Sequence, residues 1–224
     1  MTTVENVVRL AAKLVGIQDK VDGHFNGTVT AETKLLIEGL VCCFNTVENE
    51  LAVDYLPIVC EETVTADDGG IEYASLSRSA AYVIAVFDDE GKEIEARKLS
   101  SKLGLAAGTY TVRYAALPTQ KGVEDLSDYD VEVFERLLAY GVAAEYCLHR
   151  GFYEEHAVWE KKYRLAIAAA VKIQEESKEH GEALRTAALG EKKAAAEKAA
   201  EAEKAAEEAK RLGDYKTIKA RDWI

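Results

Sequence analysis

SDYDVEVFERLLAYGVAAEYCLHRGFYEEHAVWEKKYRLAIAAAVKI, residues 127–173, is the stretch on which the fold turns. Ser127-Asp128-Tyr129-Asp130 supplies short oxygen-bearing side chains that can cap exposed backbone N–H groups, and acids favour the positive end of a helix. Phe134, Leu137, Leu138, Gly141, Ala144, Glu145 and Leu148 then recur three and four apart, an apolar stripe at helical period broken by one acid. Gly151 follows Arg150 where a helix C-terminus wants a residue free to enter the left-handed region. The next helix sets Trp159, Tyr163, Ala166, Ala170 and Ile173 along one side. With so short a joint the two helices fold back antiparallel, and Ala143, Ala144, Ala166 and Ala170 let them approach closely.

Working towards the N-terminus, residues 3–16 read as an amphipathic helix with Val4, Val7, Val8, Ala11, Leu14 and Val15 on one side. Thr2-x-x-Glu5 has the spacing of a capping box, and Gly16 ends the helix. Gly23 to Gly27 form a loop, with Asn26-Gly27 as its turn. Thr30 caps a helix over 31–55 that stops before Pro57. The period then shortens. Residues 60–116 alternate in short runs split by Asp67-Asp68-Gly69-Gly70 and Asp89-Glu90-Gly91, which predicts an antiparallel meander of about five strands. One of its faces packs on the helices and the other is left to solvent or a neighbour. The expected class is α+β: a helical bundle with an inserted small antiparallel β-sheet and a long C-terminal Ala/Glu/Lys-rich helix. Residues 1–177 make the α+β domain, with a helical hairpin over 128–175.

The C-terminal part differs in composition. Residues 191–212 hold nine Ala, six Glu, five Lys and one Arg. Such residues favour helix, but no large apolar seam accompanies them, so residues 178–212 read as a semi-rigid rod rather than a coiled coil. Residues 213–224 form a tail ending in Trp223-Ile224. Trp, Tyr and Arg are frequent interface anchors, so a Trp223-Ile224 end with Tyr215 and Ile218 after a long polar spacer either docks into another subunit or folds back onto its own domain.

Net charge is −12. Between Lys34 and Arg78 stand nine acids and no base: Glu38, Glu48, Glu50, Asp54, Glu61, Glu62, Asp67, Asp68 and Glu72. Such a run reads as a solvated acidic face that repels phosphate backbones, which argues against sequence-specific nucleic-acid binding. Cys42, Cys43, Cys60 and Cys147 show no CxxC or zinc spacing, and reduced thiols in a cytoplasmic product are expected. Met1 leads directly into a polar amphipathic helix, so no signal peptide is expected, and no apolar run approaches the ~20 residues of a membrane span. His149 and His156 lack the spacing of a metal site and read as surface residues at a helix turn. No nucleophile, phosphate or dinucleotide motif is present. The expectation is a non-enzyme with no cofactor and no metal.

Three runs point to one family. They are Cys43-Phe44-Asn45-Thr46-Val47-Glu48-Asn49-Glu50-Leu51-Ala52 with Asp54-Tyr55-Leu56-Pro57-Ile58-Val59; Gly108-Thr109-Tyr110-Thr111-Val112-Arg113-Tyr114 with Leu117-Pro118; and Leu138-Ala139-Tyr140-Gly141-Val142-Ala143-Ala144-Glu145-Tyr146-Cys147 with Gly151, Ala157, Trp159-Glu160-Lys161 and Tyr163. In their order, over about residues 30–173, they resemble the head–tail adaptor (connector) proteins of tailed bacteriophages. The alanine-rich rod departs from the compact adaptors. The resemblance implies a virion structural protein, assembled in the bacterial cytoplasm as a homo-oligomeric ring, commonly a dodecamer, between the portal protein and a tail-side neck or tail-tube protein. DNA passes non-specifically through its lumen. The portal contact would fall to Tyr215, Ile218, Arg221, Trp223 and Ile224, and acidic side chains lining the channel would let DNA slide. A helical scaffold or interaction module outside phage is the alternative.

Overall fold

The computed structural model describes residues 2–129 and 132–176. The rod over 178–212 and the docking residues Tyr215, Ile218, Arg221, Trp223 and Ile224 lie outside the described residues. Two compact units divide the chain, Met1–Val171 and Lys172–Ile224. In the second, residues 172–176 are described and are helical. The first unit is α+β, a helical bundle with antiparallel sheet inserted between its third and fourth helices.

Helix α1 (Val4–Leu14) is capped by Thr3, whose Oγ1 accepts the Asn6 N–H at 3.1 Å, rather than by the expected Thr2. Thr2 is buried, and its carbonyl accepts the Ser127 N–H at 2.9 Å. Helix α2 (Gln18–Phe25) was not expected, and it takes up Gly23–Phe25 of the expected Gly23–Gly27 loop, leaving Asn26 and Gly27 as the turn. With eight residues and only Val21 buried, it shows too little apolar periodicity to register. Arg9 holds it to α1, pairing with Asp22 at 2.5 Å and lying 4.3 Å above the Phe25 ring. Helix α3 (Ala31–Glu50) opens on Thr30 as expected, with Thr30 and Thr33 capping one another reciprocally. The helix expected over 31–55 widens to a π-helical turn over Leu51–Tyr55 before Pro57 ends it.

Helices α4 (Glu132–His149) and α5 (153–176) form the expected hairpin. Gly151 sits at φ +77°, and the Gly151 and Phe152 N–H groups close on the Leu148 and Cys147 carbonyls at 3.1 and 2.8 Å. That double closure is the reason a glycine stands there. Asp130 of the expected cap lies outside the described residues, and the helix expected from 128 begins later, since Ser127–Tyr129 are not helical. Their polar groups are engaged elsewhere, as described below.

The bundle core joins Val4, Val7, Val8 and Ala11 of α1, Leu40, Phe44 and Val47 of α3, Leu137, Leu138 and Val142 of α4, and Tyr163, Ile167 and Ala170 of α5. Burying each large apolar side chain contributes about 1.5–3 kcal/mol. At Gly141 an added Cβ would lie 2.6 Å from Val47 Cγ1 and 2.9 Å from Tyr163 Cε2, so three helices converge on the missing side chain.

The inserted region corrects the expected five-strand meander. Seven strands, β1 (Ile58–Ala66), β2 (Ile71–Glu72), β3 (Ala80–Phe87), β4 (Glu93–Ile94), β5 (Arg97–Lys98), β6 (Lys102–Gly104) and β7 (Gly108–Ala116), make two sheets. Their orders are β1-β7-β3-β4 and β2-β6-β5. The last strand thus enters between the first and third, antiparallel to both. Contrary to expectation, the inner sheet face has its own core: Ala66, Val83, Val86, Val112, Tyr114 and Ala116 pack with Ile71, Leu76 and Leu103 of the smaller sheet and its flank.

The turn at Asp67–Gly70 forms as expected, closed by the Gly70 N–H to the Asp67 carbonyl at 3.1 Å. Gly70 has φ +97°, and a Cβ there would stand 1.9 Å from the Leu103 carbonyl oxygen. Gly70→Ala is therefore expected to cost about 1–3 kcal/mol. Urea denaturation checks this; a midpoint equal to wild type would contradict the close approach.

Candidate functional site

Residues 117–129 link the sheet to α4, and the polar groups of this strap are held by three elements. From α3, Asn45 makes a two-way bond with Lys121: Nδ2 donates to the Lys121 carbonyl at 3.0 Å, and Oδ1 accepts the Lys121 N–H at 2.7 Å. One turn on, Glu48 Oε1 accepts the Ser127 hydroxyl at 2.7 Å and the Asp128 N–H at 2.8 Å. The N-terminus adds a bridge of Thr3 with Leu126 and a bond from the Val4 N–H to the Asp125 carbonyl at 3.0 Å. From the sheet side, Arg78 reaches the Leu117 carbonyl at 3.1 Å and Asp128 Oδ2 at 2.7 Å, while Lys121 Nζ lies 3.1 Å from Asp128 Oδ1. Tyr129 donates its hydroxyl to the Leu56 carbonyl at 2.7 Å.

These groups titrate away from their ordinary values in opposite directions. Burial pushes the Glu48 carboxyl up, against the bonds from Ser127 and Asp128. Glu48 is fully buried, and its Oε2 has no hydrogen-bond partner among the described residues. Burial also works against the charge on Asp128, but Lys121 and Arg78 outweigh it and hold that carboxyl low. Glu62 is similar: the Tyr114 hydroxyl, at 2.7 Å, and the Ser77 N–H outweigh burial and keep it low. The acidic run over 38–72 is thus not one solvated face, because Glu48 lies inside the bundle. Sequence alone carries no signal for this, since its partners stand 79 and 80 residues away.

Two apolar clefts open at the α4–α5 turn. A cleft of about 450 Å³ opens between α2, α3 and the end of α4, with Ile17, Leu35, Leu36, Tyr146 and Phe152 as apolar wall and Lys20, Glu32 and Arg150 at its rim. Phe152 also walls a second groove of about 340 Å³, with Leu14, Val15, Val158 and Trp159. Leu35 is 69% exposed, Phe152 48% and Val158 52%. Trp159 stacks on Tyr140 at 6.0 Å under the Lys162 ammonium, which stiffens the wall.

The two buried thiols, Cys43 and Cys147, are poor nucleophiles. Burial pushes Cys43 up to about 12 and raises Cys147, so neither forms thiolate at neutral pH. His156 Nδ1 lies 3.0 Å from the Ala144 carbonyl, linking the two helices of the hairpin, and His149 faces Glu145 one turn back at 3.7 Å. Among the described residues no group of three or more His, Cys, Asp and Glu could hold a metal ion, and no helix is long and apolar enough to cross a membrane. No protein-family model matches this chain, and no curated protein matches it.

Proposed function

We propose that this chain is a virion structural protein, a head–tail adaptor that closes into a ring between portal and tail in a tailed bacteriophage. The observation that carries the reading is how the first unit uses its polar and apolar groups. Its buried ionisable side chains, Glu48 foremost, tie elements together. Large apolar side chains are left in solvent, meanwhile, at Leu35, Phe152, Tyr153 and Val158 about the α4–α5 turn, and at Val59, Tyr82 and Ile84 on the sheet. A subunit that works by burying surface against neighbours has that distribution. The runs that resemble the adaptors lie in α3 and on into β1, in β7, and in the α4–α5 hairpin as far as Tyr163, all within the first compact unit.

In this reading the portal is held by Tyr215, Ile218, Arg221, Trp223 and Ile224, and DNA passes through the lumen without sequence preference. Deleting residues 214–224 is expected to abolish co-sedimentation with portal while leaving the thermal melt of the first unit unchanged. Attachment at wild-type level would move the contact elsewhere on the chain.

A further inference from the structure

The two edges of the larger sheet differ. Strand β1 pairs with β7 in unbroken register over nine residues, Ile58 to Ala66, and lies at the sheet edge. No backbone hydrogen bond from another described segment reaches its outer side. At the opposite side β4 covers β3 only at Val86 and Phe87, leaving Ala80–Ala85 open. There the Lys98 ammonium donates to the Val83 carbonyl at 2.8 Å, at a break in register between Val83 and Ala85. A groove of about 360 Å³ runs beside this open stretch, between Val83–Val86 and Glu93–Ala96 with Lys98.

The exposed large apolar side chains of the sheet lie on these same two strands: Val59 on β1 at 50%, and Tyr82 and Ile84 on β3 at 47% and 42%. Central β7 instead meets β1 through polar pairs, Arg113 with Glu61 at 2.7 Å and Thr111 with Thr63 at 3.3 Å. Solvent-facing apolar groups are placed where a neighbour could cover them.

We propose that β1 of one copy of this chain adds to the open β3 edge of a second copy. The inference rests on the ring reading above and names the contact that closes it. Both strands run antiparallel to β7 and hence parallel to each other. A rotation that carries one copy to the next therefore brings β1 alongside β3 in parallel, each edge used once. Two β1 edges do not serve instead: antiparallel pairing centred on the strand would set Glu62 against Glu62, and like charges opposite one another destabilise a sheet. The charged groups of β1 are Glu61 and Glu62, both acidic, whereas β3 carries no charge and has the Lys98 ammonium at its edge. As β1 arrives, its N–H groups replace Lys98 at the β3 carbonyls, and the ammonium turns to the incoming Glu61. Glu93 of β4 and Glu95 just beyond it would repel Glu61 at the other end of the groove, which places that contact at the Val83 end. Val59 of the incoming strand then covers Tyr82 and Ile84.

The test uses full-length protein carrying V59K or I84K, both exposed sites, followed by sedimentation velocity over a concentration series. Wild type is expected to form a closed oligomer, and each variant to need a roughly ten-fold or higher concentration for half-assembly. Mixing the two variants is expected to give a dimer and nothing larger, because the pair retains one intact β1 edge and one intact β3 edge. Oligomers unchanged in both variants would overturn the strand contact while leaving the ring. A wild type that stays monomeric throughout would remove the ring as well. A dimer formed by I84K alone would mean β1–β1 pairing and would also overturn the proposal.

Discussion

Gly141→Leu is expected to yield no folded protein. A Cβ added at this position already meets Val47 Cγ1 at 2.6 Å and Tyr163 Cε2 at 2.9 Å, and neither neighbour has room to retreat. Val47 is a β-branched core residue with no exposed surface. Tyr163 is 2% exposed, and its hydroxyl lies 3.3 Å from Glu50 Oε2. Leucine would add three more carbons to that contact. Gly141→Ala gives the graded version. Helix propensity favours alanine by about 1 kcal/mol, yet overpacking costs about 1–3 kcal/mol, so a net loss is expected. A double-mutant cycle separates the terms: Val47→Ala should cost less in the Gly141→Ala background than in wild type, because it removes the obstructing methyls. Equal costs in the two backgrounds, read by urea denaturation, would contradict the three-helix convergence.

Glu48→Ala is expected to destabilise the protein by about 2–4 kcal/mol, since it empties a buried site and leaves the Ser127 hydroxyl and Asp128 N–H without their acceptor. Glu48→Gln keeps an acceptor and removes the titration, so it isolates the pH effect. Because burial raises the folded-state pKa of Glu48, the folded chain holds that proton more tightly than the unfolded one. Its contribution is therefore full below the ordinary value of 4.5 and is lost as pH rises through the raised folded value. Asp128 runs the other way: its contribution is present above the ordinary 3.8 and is lost as pH falls through its depressed folded value. Stability relative to Glu48→Gln should thus climb as pH falls through the raised folded value towards 4.5. A difference independent of pH in paired melts would mean that Glu48 carries no raised value.

The elements legible in the sequence were those set by neighbouring residues. Thr30 marked the start of α3, Gly16 and Gly151 ended helices, and Asp67–Gly70 turned a strand. The hairpin of α4 and α5 followed from 3.6-residue periodicity across Leu137, Leu138 and Tyr163. What escaped was set across the chain. Strand order is one case: β7 enters between β1 and β3 through pairings such as Ile58 with Ala116, and local alternation reads the same in any order. Glu48 is another, an acid among acids until Ser127 and Asp128 fold over it. Helix α2 escaped for the opposite reason, being too short to repeat. The apolar groove at Phe152 was half legible: Gly151 located the turn, but Leu35 and Ile17 join it only through the packing of α2 and α3.

Electron microscopy of the full-length protein mixed with purified portal tests the ring most directly. Closed rings stacked coaxially on the portal, with an open lumen, are expected. Discrete single chains, or rings that never meet the portal, would contradict it.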